Sequence, residues 1–194
     1  MSAPVQLATV HPPTASADTT PAEADLVRAS LAGEYGAFDR LVHLHARRVF
    51  NYLQQMTHHA QDAEDLAQQT FIKAHANLQH VDPARPFIAW LLTIARRTAL
   101  NHFRSARQWE PVSPELPATE PSPARQAESR DTSEDLWAHA RRTLSPREYE
   151  VLWLRFAEEL SVADAARVTG LTQTHIKILV FRARNKLLDT PPAP

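Results

Sequence analysis

Residues 145–188 read SPREYEVLWLRFAEELSVADAARVTGLTQTHIKILVFRARNKLL, and three helix starts can be placed in that stretch alone. Ser145-Pro146-Arg147-Glu148 is a capping box with proline at the first helical position: the serine hydroxyl and the glutamate three residues on each satisfy a backbone N–H that the helix leaves unpaired. The helix it opens is expected to bury Tyr149, Leu152, Trp153 and Phe156. Ser161 to Asp164 starts a second helix with a small-residue face of Ala165, Ala166 and Val168, and Gly170 suits the left-handed stop. Thr172 caps a third, whose Ile176, Leu179, Val180, Ala183 and Leu187 face inward. Gln173, Thr174, His175, Lys177, Ile178, Phe181 and Arg182 are left on its outer side. A helix, a short glycine turn and a helix with a basic outer face make a unit suited to placing its second helix in the major groove of DNA.

Working outward, proline marks the boundaries. Twelve of the 15 prolines fall within residues 4–21, 111–123 and 191–194, where lost amide donors oppose continuous helix. The chain is therefore expected to hold a disordered tail (1–23), a first body (24–109), a Pro/acid-rich linker (110–133), a second body (134–189) and a short end (190–194). The net charge of −1 conceals uneven patterning. Arg85, Arg96, Arg97, Arg104 and Arg107 lie between Pro83 and Trp109 without one acid, and Lys177, Arg182, Arg184 and Lys186 form a second basic run. Each body thus carries a stripe suited to phosphates.

The first body reads as three or four helices. Phe38, Leu41, Val42, His45, Val49, Tyr52, Leu53 and Met56 recur at three- and four-residue steps. Asp62 can cap the next helix, with Ala63, Leu66, Ala67, Phe71, Ala74 and Leu78 on one face. A turn spans Gln79 to Arg85; Pro86 then suits a first helical turn, and Phe87, Trp90, Leu91, Ile94 and Thr98 continue at helical spacing. That spacing places Phe87 and Trp90 in the core rather than under a base.

Two of these segments carry a resemblance. Asp62-Ala63-Glu64-Asp65-Leu66-Ala67-Gln68-Gln69-Thr70-Phe71, followed by the helix from Phe87 to Arg96, resembles region 2 of bacterial sigma factors, the extracytoplasmic-function (ECF) group above all. Leu144 to Leu188 is similar to sigma region 4 and also to LuxR-type regulators. The order of region 2, acidic linker and region 4, with no room for region 3, selects the ECF group.

The resemblance implies an all-α protein of two small domains that binds core RNA polymerase and directs promoter recognition, melting and initiation. The family motif D-[LV]-x-Q-[ED]-x-F, which docks on the β′ clamp, gives Asp65, Gln68 and Phe71 directly, and Gln69 stands where the family carries an acid. Gln79, His80, Asp82, Arg85, Arg96, Arg97 and Arg104 are the implied contacts to the unwound minus-10 strand; loop residues would capture bases and the cationic stripe would follow phosphates. Arg97 and Asn101 replace the family's usual Asn and Asp. Thr172, Gln173, Thr174, His175, Lys177, Ile178, Arg182 and Arg184 are the implied minus-35 contacts. Where the family commonly has K-[ST]-R-[LV], this chain has Lys177-Ile178-Leu179, so two polar DNA contacts are absent. The upstream element would be read mainly through His175, Lys177, Arg182 and phosphate contacts, or the helix offers an apolar patch to a protein. The β flap and an anti-sigma factor are the further implied partners.

Composition narrows the field from the other side. Three glycines, and neither G-x-G-x-x-G nor a P-loop, speak against kinases, Rossmann enzymes and β-barrels. With no cysteine there is no disulfide framework, cysteine nucleophile or thiolate zinc site. Ten histidines show no metal-binding helix pattern and read as scattered surface residues. No catalytic constellation, cofactor site, leader or membrane span emerges, so a cytoplasmic, non-enzymatic protein is expected. The competing reading is a sigma-like or LuxR-like regulator that binds DNA or an anti-sigma protein without initiating transcription.

Overall fold

The structure, a computed structural model, describes residues 21–109 and 132–190; residues 1–20 of the tail, the linker up to residue 131 and the last four residues lie outside the described residues, whereas Pro21 to Glu23, read above as disordered tail, open the first helix. Eight α-helices and one 3₁₀ turn make up the described chain, with no strand among these residues. The first body holds α1 (Pro21–Leu31), α2 (Ala37–Thr57), α3 (Ala60–Ala76), the 3₁₀ turn Leu78–His80 and α4 (Phe87–Trp109). The second holds α5 (Thr132–Thr143), α6 (Pro146–Phe156), α7 (Val162–Thr169) and α8 (Gln173–Asp189).

Helical periodicity explains the first body. Leu41, His45, Val49, Tyr52 and Leu53 turn inward from α2, and Ala63, Leu66, Ala67, Thr70 and Ala74 from α3. They meet Phe87, Ile88, Leu91, Leu92, Ala95 and Ala99 of α4. Two boundaries differ from expectation. The N-cap of α3 is His59, not Asp62, which instead lies in the first turn, where its charge favours the helix dipole. Pro86 immediately precedes α4 rather than opening it.

In the second body all three caps form as the sequence requires. Ser145 and Glu148 complete the capping box of α6, Ser161 Oγ accepts from the Asp164 amide, and Thr172 Oγ1 accepts from the His175 amide. Gly170 closes α7 at φ 72°. A Cβ added there would meet nothing within 4 Å, so the cost of a side chain is conformational alone. Gly170→Ala should therefore lower stability by about 1 kcal/mol in a denaturant titration, with the same dependence on denaturant concentration.

Two expectations fail here. Phe156 is 46% exposed, because it sits on the last turn of α6 beyond the apolar contact. Residues 132 and 133, read as linker, belong to α5. That helix packs Trp137 against Trp153 at 4.9 Å and Tyr149 at 5.9 Å between ring centroids.

The two bodies touch. α7, whose buried residues Ala165, Ala166 and Val168 are small, packs along α4, and one contiguous apolar core includes residues from both bodies.

Candidate nucleic-acid interface

Three exposed surfaces carry the residues singled out by the sequence. The first is the outer face of α3. Asp65, Gln68 and Gln69 are exposed, and with Ile72, 69% exposed, they follow the i, i+3, i+4, i+7 spacing of one helix face. Phe71 is only half-buried and packs against the core, so it braces this face as much as it presents a surface. Lys73 Nζ donates to Thr98 Oγ1 at 3.1 Å, and this bond ties α3 to α4. Ile72 escaped the sequence reading. Its signal was position: seven residues after Asp65, it continues the polar face with an apolar side chain.

The second surface joins the turn after α3 to the outer ridge of α4. Gln79, His80, Asp82 and Arg85 are exposed. Asp82 Oδ1 accepts from the Ala84 amide at 3.0 Å and its Oδ2 from Arg85 Nε at 2.9 Å, so the acid organises the turn and holds one of its cations. Val81, between them, is buried and pins the turn to the body. Arg97, Asn101 and Arg104 are exposed at helical spacing along α4, so this ridge is cationic. Phe87 is 1% exposed and Trp90 half-buried, which places both in the core as expected.

Arg96 does not join that ridge. One residue along a helix turns a side chain by about 100°, and Arg96 points into the contact between the bodies. Its Nε donates to Glu150 Oε1 at 2.7 Å. The Tyr52 hydroxyl donates to the same oxygen at 2.7 Å. Burial first, and then the Glu150 charge, push the Tyr52 phenol well above its ordinary pKa, so it remains a donor. Arg48 makes a parallel contact, with Nε 2.8 Å from Glu158 Oε2. Arg141 donates to Gln55 Oε1, which also accepts from the Tyr149 hydroxyl at 3.0 Å.

The third surface is α8. Thr172, Gln173, Thr174, Lys177, Arg182 and Arg184 are exposed and His175 is half-buried near its start. The Ile178-Leu179 pair divides: Ile178 is 43% exposed, while Leu179, at 6%, belongs to the core. Phe181, 65% exposed, lies with Phe156, Val180 and Leu188 in a shallow groove rimmed by Arg155, Lys177 and Arg184.

The histidines are not all at the surface. His45 is buried, 3.2 Å from a Glu23 carboxylate oxygen and edging the Phe87 ring, and His139 is buried with Nε2 3.4 Å from Thr143 Oγ1. Both sit at inward helical positions; the α2 periodicity marked His45, nothing marked His139, and residue type misled.

Residues 41–109 match the family model "Sigma-70 region 2" and residues 137–187 match "Sigma-70, region 4". The chain is 31% identical over 175 residues to the RNA polymerase sigma-H factor of Pseudomonas aeruginosa, covering 84% of this chain and 90% of that protein. The chain belongs to the ECF group of the sigma-70 family. It is also 35% identical over 164 residues to the ECF RNA polymerase sigma factor BldN of Streptomyces coelicolor, covering 82% of this chain but only 62% of BldN. Among solved structures, the sigma factor RpoE of Bartonella quintana, crystallised with the anti-sigma factor NepR, superposes with a TM-score of 0.60 at 26% identity, over 79% of this chain and 96% of that one. In sigma terms, the region 2 match runs from within α2 to the end of α4 and carries the first two surfaces. The region 4 match, from within α5 to α8, carries the third. Among the described residues, no helix is long and apolar enough to cross a membrane.

Proposed function

We propose that this sigma factor binds core RNA polymerase through Asp65, Gln68, Gln69 and Phe71 on the β′ clamp and directs promoter recognition, melting and initiation. In this division of labour, residues 24–109 capture the melted minus-10 strand through Gln79, His80, Asp82, Arg85, Arg97 and Arg104, and Arg96 joins them once it is released from Glu150. Residues 134–189 grip the minus-35 duplex through Thr172, Gln173, Thr174, His175, Lys177, Ile178, Arg182 and Arg184, and residues 110–133 bridge the two. The observation that carries this reading is adjacency: a polar, exposed α3 face lies next to a cationic α4 ridge in a chain that also ends in a capped helix-turn-helix. Further partners in this reading are the β flap and an anti-sigma factor, supported by the solved relative bound to NepR. No catalytic chemistry is assigned to the chain itself.

The test is run-off transcription with purified core polymerase on genomic fragments, followed by mapping of start sites. Discrete starts that depend on the added chain are expected. The exposed Ile178 and Phe181 favour, as a second reading, a regulator that only binds DNA or an anti-sigma protein; that reading yields no new start sites in the same assay.

Duplex binding by the free chain should be weak and steeply salt-dependent, because few cations face the phosphates and each releases counterions. Replacing Arg182 and Arg184 by alanine should flatten the slope of log K against log salt by about 0.9 per lost contact. An unchanged slope in fluorescence anisotropy would remove both arginines from the interface.

A further inference from the structure

The turn between α1 and α2 has a fixed backbone and bare side chains. Gly33 at φ 80° and Gly36 at φ 76° take left-handed conformations on either side of Glu34 and Tyr35. The Glu34 amide donates to the Ala29 carbonyl at 3.0 Å, and the Glu34 carbonyl accepts from the Ala37 amide at 3.3 Å. On this backbone Tyr35 is fully exposed, and Leu44, which lines the same groove, is 57% exposed. A held turn that keeps an aromatic ring in water is prepared for a partner, because little backbone freedom remains to be lost on contact.

Tyr35 borders an open groove of about 930 Å³ between α1 and α2, whose apolar lining includes Leu26 and Leu44. The charges around it are divided by sign. The α2 wall carries Arg40 and His43, whereas α1 and the turn carry Asp25 and Glu34. Asp25 is paired with Arg28 of its own helix, but Glu34 and Arg40 are exposed and have no ion-pair partner among the described residues.

This pattern selects the occupant. A nucleic acid would bring negative charge against Asp25 and Glu34. The chain before Pro21 has no Lys or Arg to answer Glu34. A second copy answers both signs at once. In a two-fold pairing every contact occurs twice, so Glu34 of one copy meets Arg40 of the other and the reverse, while each Tyr35 ring enters the opposite groove.

We propose that the free sigma factor pairs with a second copy of itself across the α1–α2 groove, with Tyr35 as the apolar anchor and Glu34 with Arg40 as the reciprocal charge pair. Tyrosine suits the role because its ring displaces water over a wide area while its hydroxyl keeps a polar partner. The surface is small, so the pairing is weak, and by mass action the paired form accumulates only as the free chain does. None of these residues is among those assigned above to polymerase or promoter, so the pairing does not depend on the sigma reading.

Sedimentation equilibrium of the full chain from about 1 to about 200 μM tests the pairing, and a reversible monomer–dimer equilibrium with a micromolar dissociation constant is expected. Y35S should raise that constant at least about tenfold, as removal of a central aromatic residue does. E34R and R40E each set two like-charge pairs across the two-fold and should each raise it at least about tenfold. An equimolar mixture of the E34R and R40E chains should return it to within about threefold of the parent, because both pairs in the mixed dimer are again of opposite sign. A folding defect, or a contact within one chain, is not repaired by adding a different chain. All three variants should keep the circular dichroism of the parent, because the substituted side chains are exposed. A parent that stays monomeric at about 200 μM overturns the proposal, whatever else covers the groove. So does a Y35S chain that pairs as tightly as the parent, or a mixture that associates no better than E34R or R40E alone. Failure of the sigma reading would appear separately, as absent run-off transcripts, and would leave the sedimentation result standing.

Discussion

Run-off transcription by core polymerase supplied with the D65A/Q68A variant should fall by two orders of magnitude or more, to about the level of core alone, while the variant melts within about 4 °C of the parent. Both side chains are exposed on α3 and neither packs in the core, so surface substitution there costs about 0.5 kcal/mol or less. Interfaces concentrate their energy in few residues, and two losses of about 2 kcal/mol each reduce affinity by roughly a thousandfold. Phe71 calls for separate treatment. It is half-buried and packs against the core, so F71A loses stability as well as surface, and its transcription defect has to be read against its melting curve. Parental transcription by D65A/Q68A would remove α3 from the polymerase contact.

The second large effect concerns pH and the α6 cap. Glu148 Oε2 accepts from Lys186 Nζ at 2.7 Å, from the Ser145 hydroxyl at 2.7 Å and from the Ser145 amide at 3.0 Å. The Lys186 bond above all, with the Ser145 bonds behind it and against the cost of burial, lowers this carboxyl from its ordinary 4.5 to about 2. A depressed folded-state pKa contributes stability that is complete above the unfolded value and disappears as pH falls through the folded one. The shift sets a ceiling of about 3 kcal/mol, reduced by solvent screening because Lys186 is half-exposed. E148Q keeps the shape and reciprocal bonding of the capping box and removes the charge. It should cost about 1–3 kcal/mol at pH 7, and the difference from the parent should shrink progressively between pH 4.5 and pH 2. Denaturant titrations of both proteins across that range measure it; a constant difference would assign the effect to shape rather than charge.

What could be read from the chain without coordinates follows the range of the interactions. Ser145, Ser161, Thr172 and Gly170 were legible because each cap bonds within three or four residues of itself. The inward stripes of α2, α3 and α4 were legible because helical spacing repeats. His59 displaced Asp62 as the α3 cap within the usual uncertainty of a helix end. The contact between the bodies was not legible. Arg96 and Glu150 are 54 residues apart and Arg48 and Glu158 are 110 apart, and nothing in their neighbours marks them as partners. Counting charge along α4 therefore assigned Arg96 to the same stripe as Arg97, although adjacent helical residues face different directions. Of the surfaces themselves, the α3 and α8 residues were singled out by motif, helical spacing set Ile178 outward and Leu179 inward as their burial bears out, and Ile72 was missed.

The account stands on association with polymerase, and the most direct measurement is analytical size-exclusion chromatography of the full chain mixed with purified core enzyme. The account predicts that the chain elutes with core in a one-to-one complex and that the D65A/Q68A variant elutes apart from it. A full-length, folded chain that remains separate from core at micromolar concentration would contradict it.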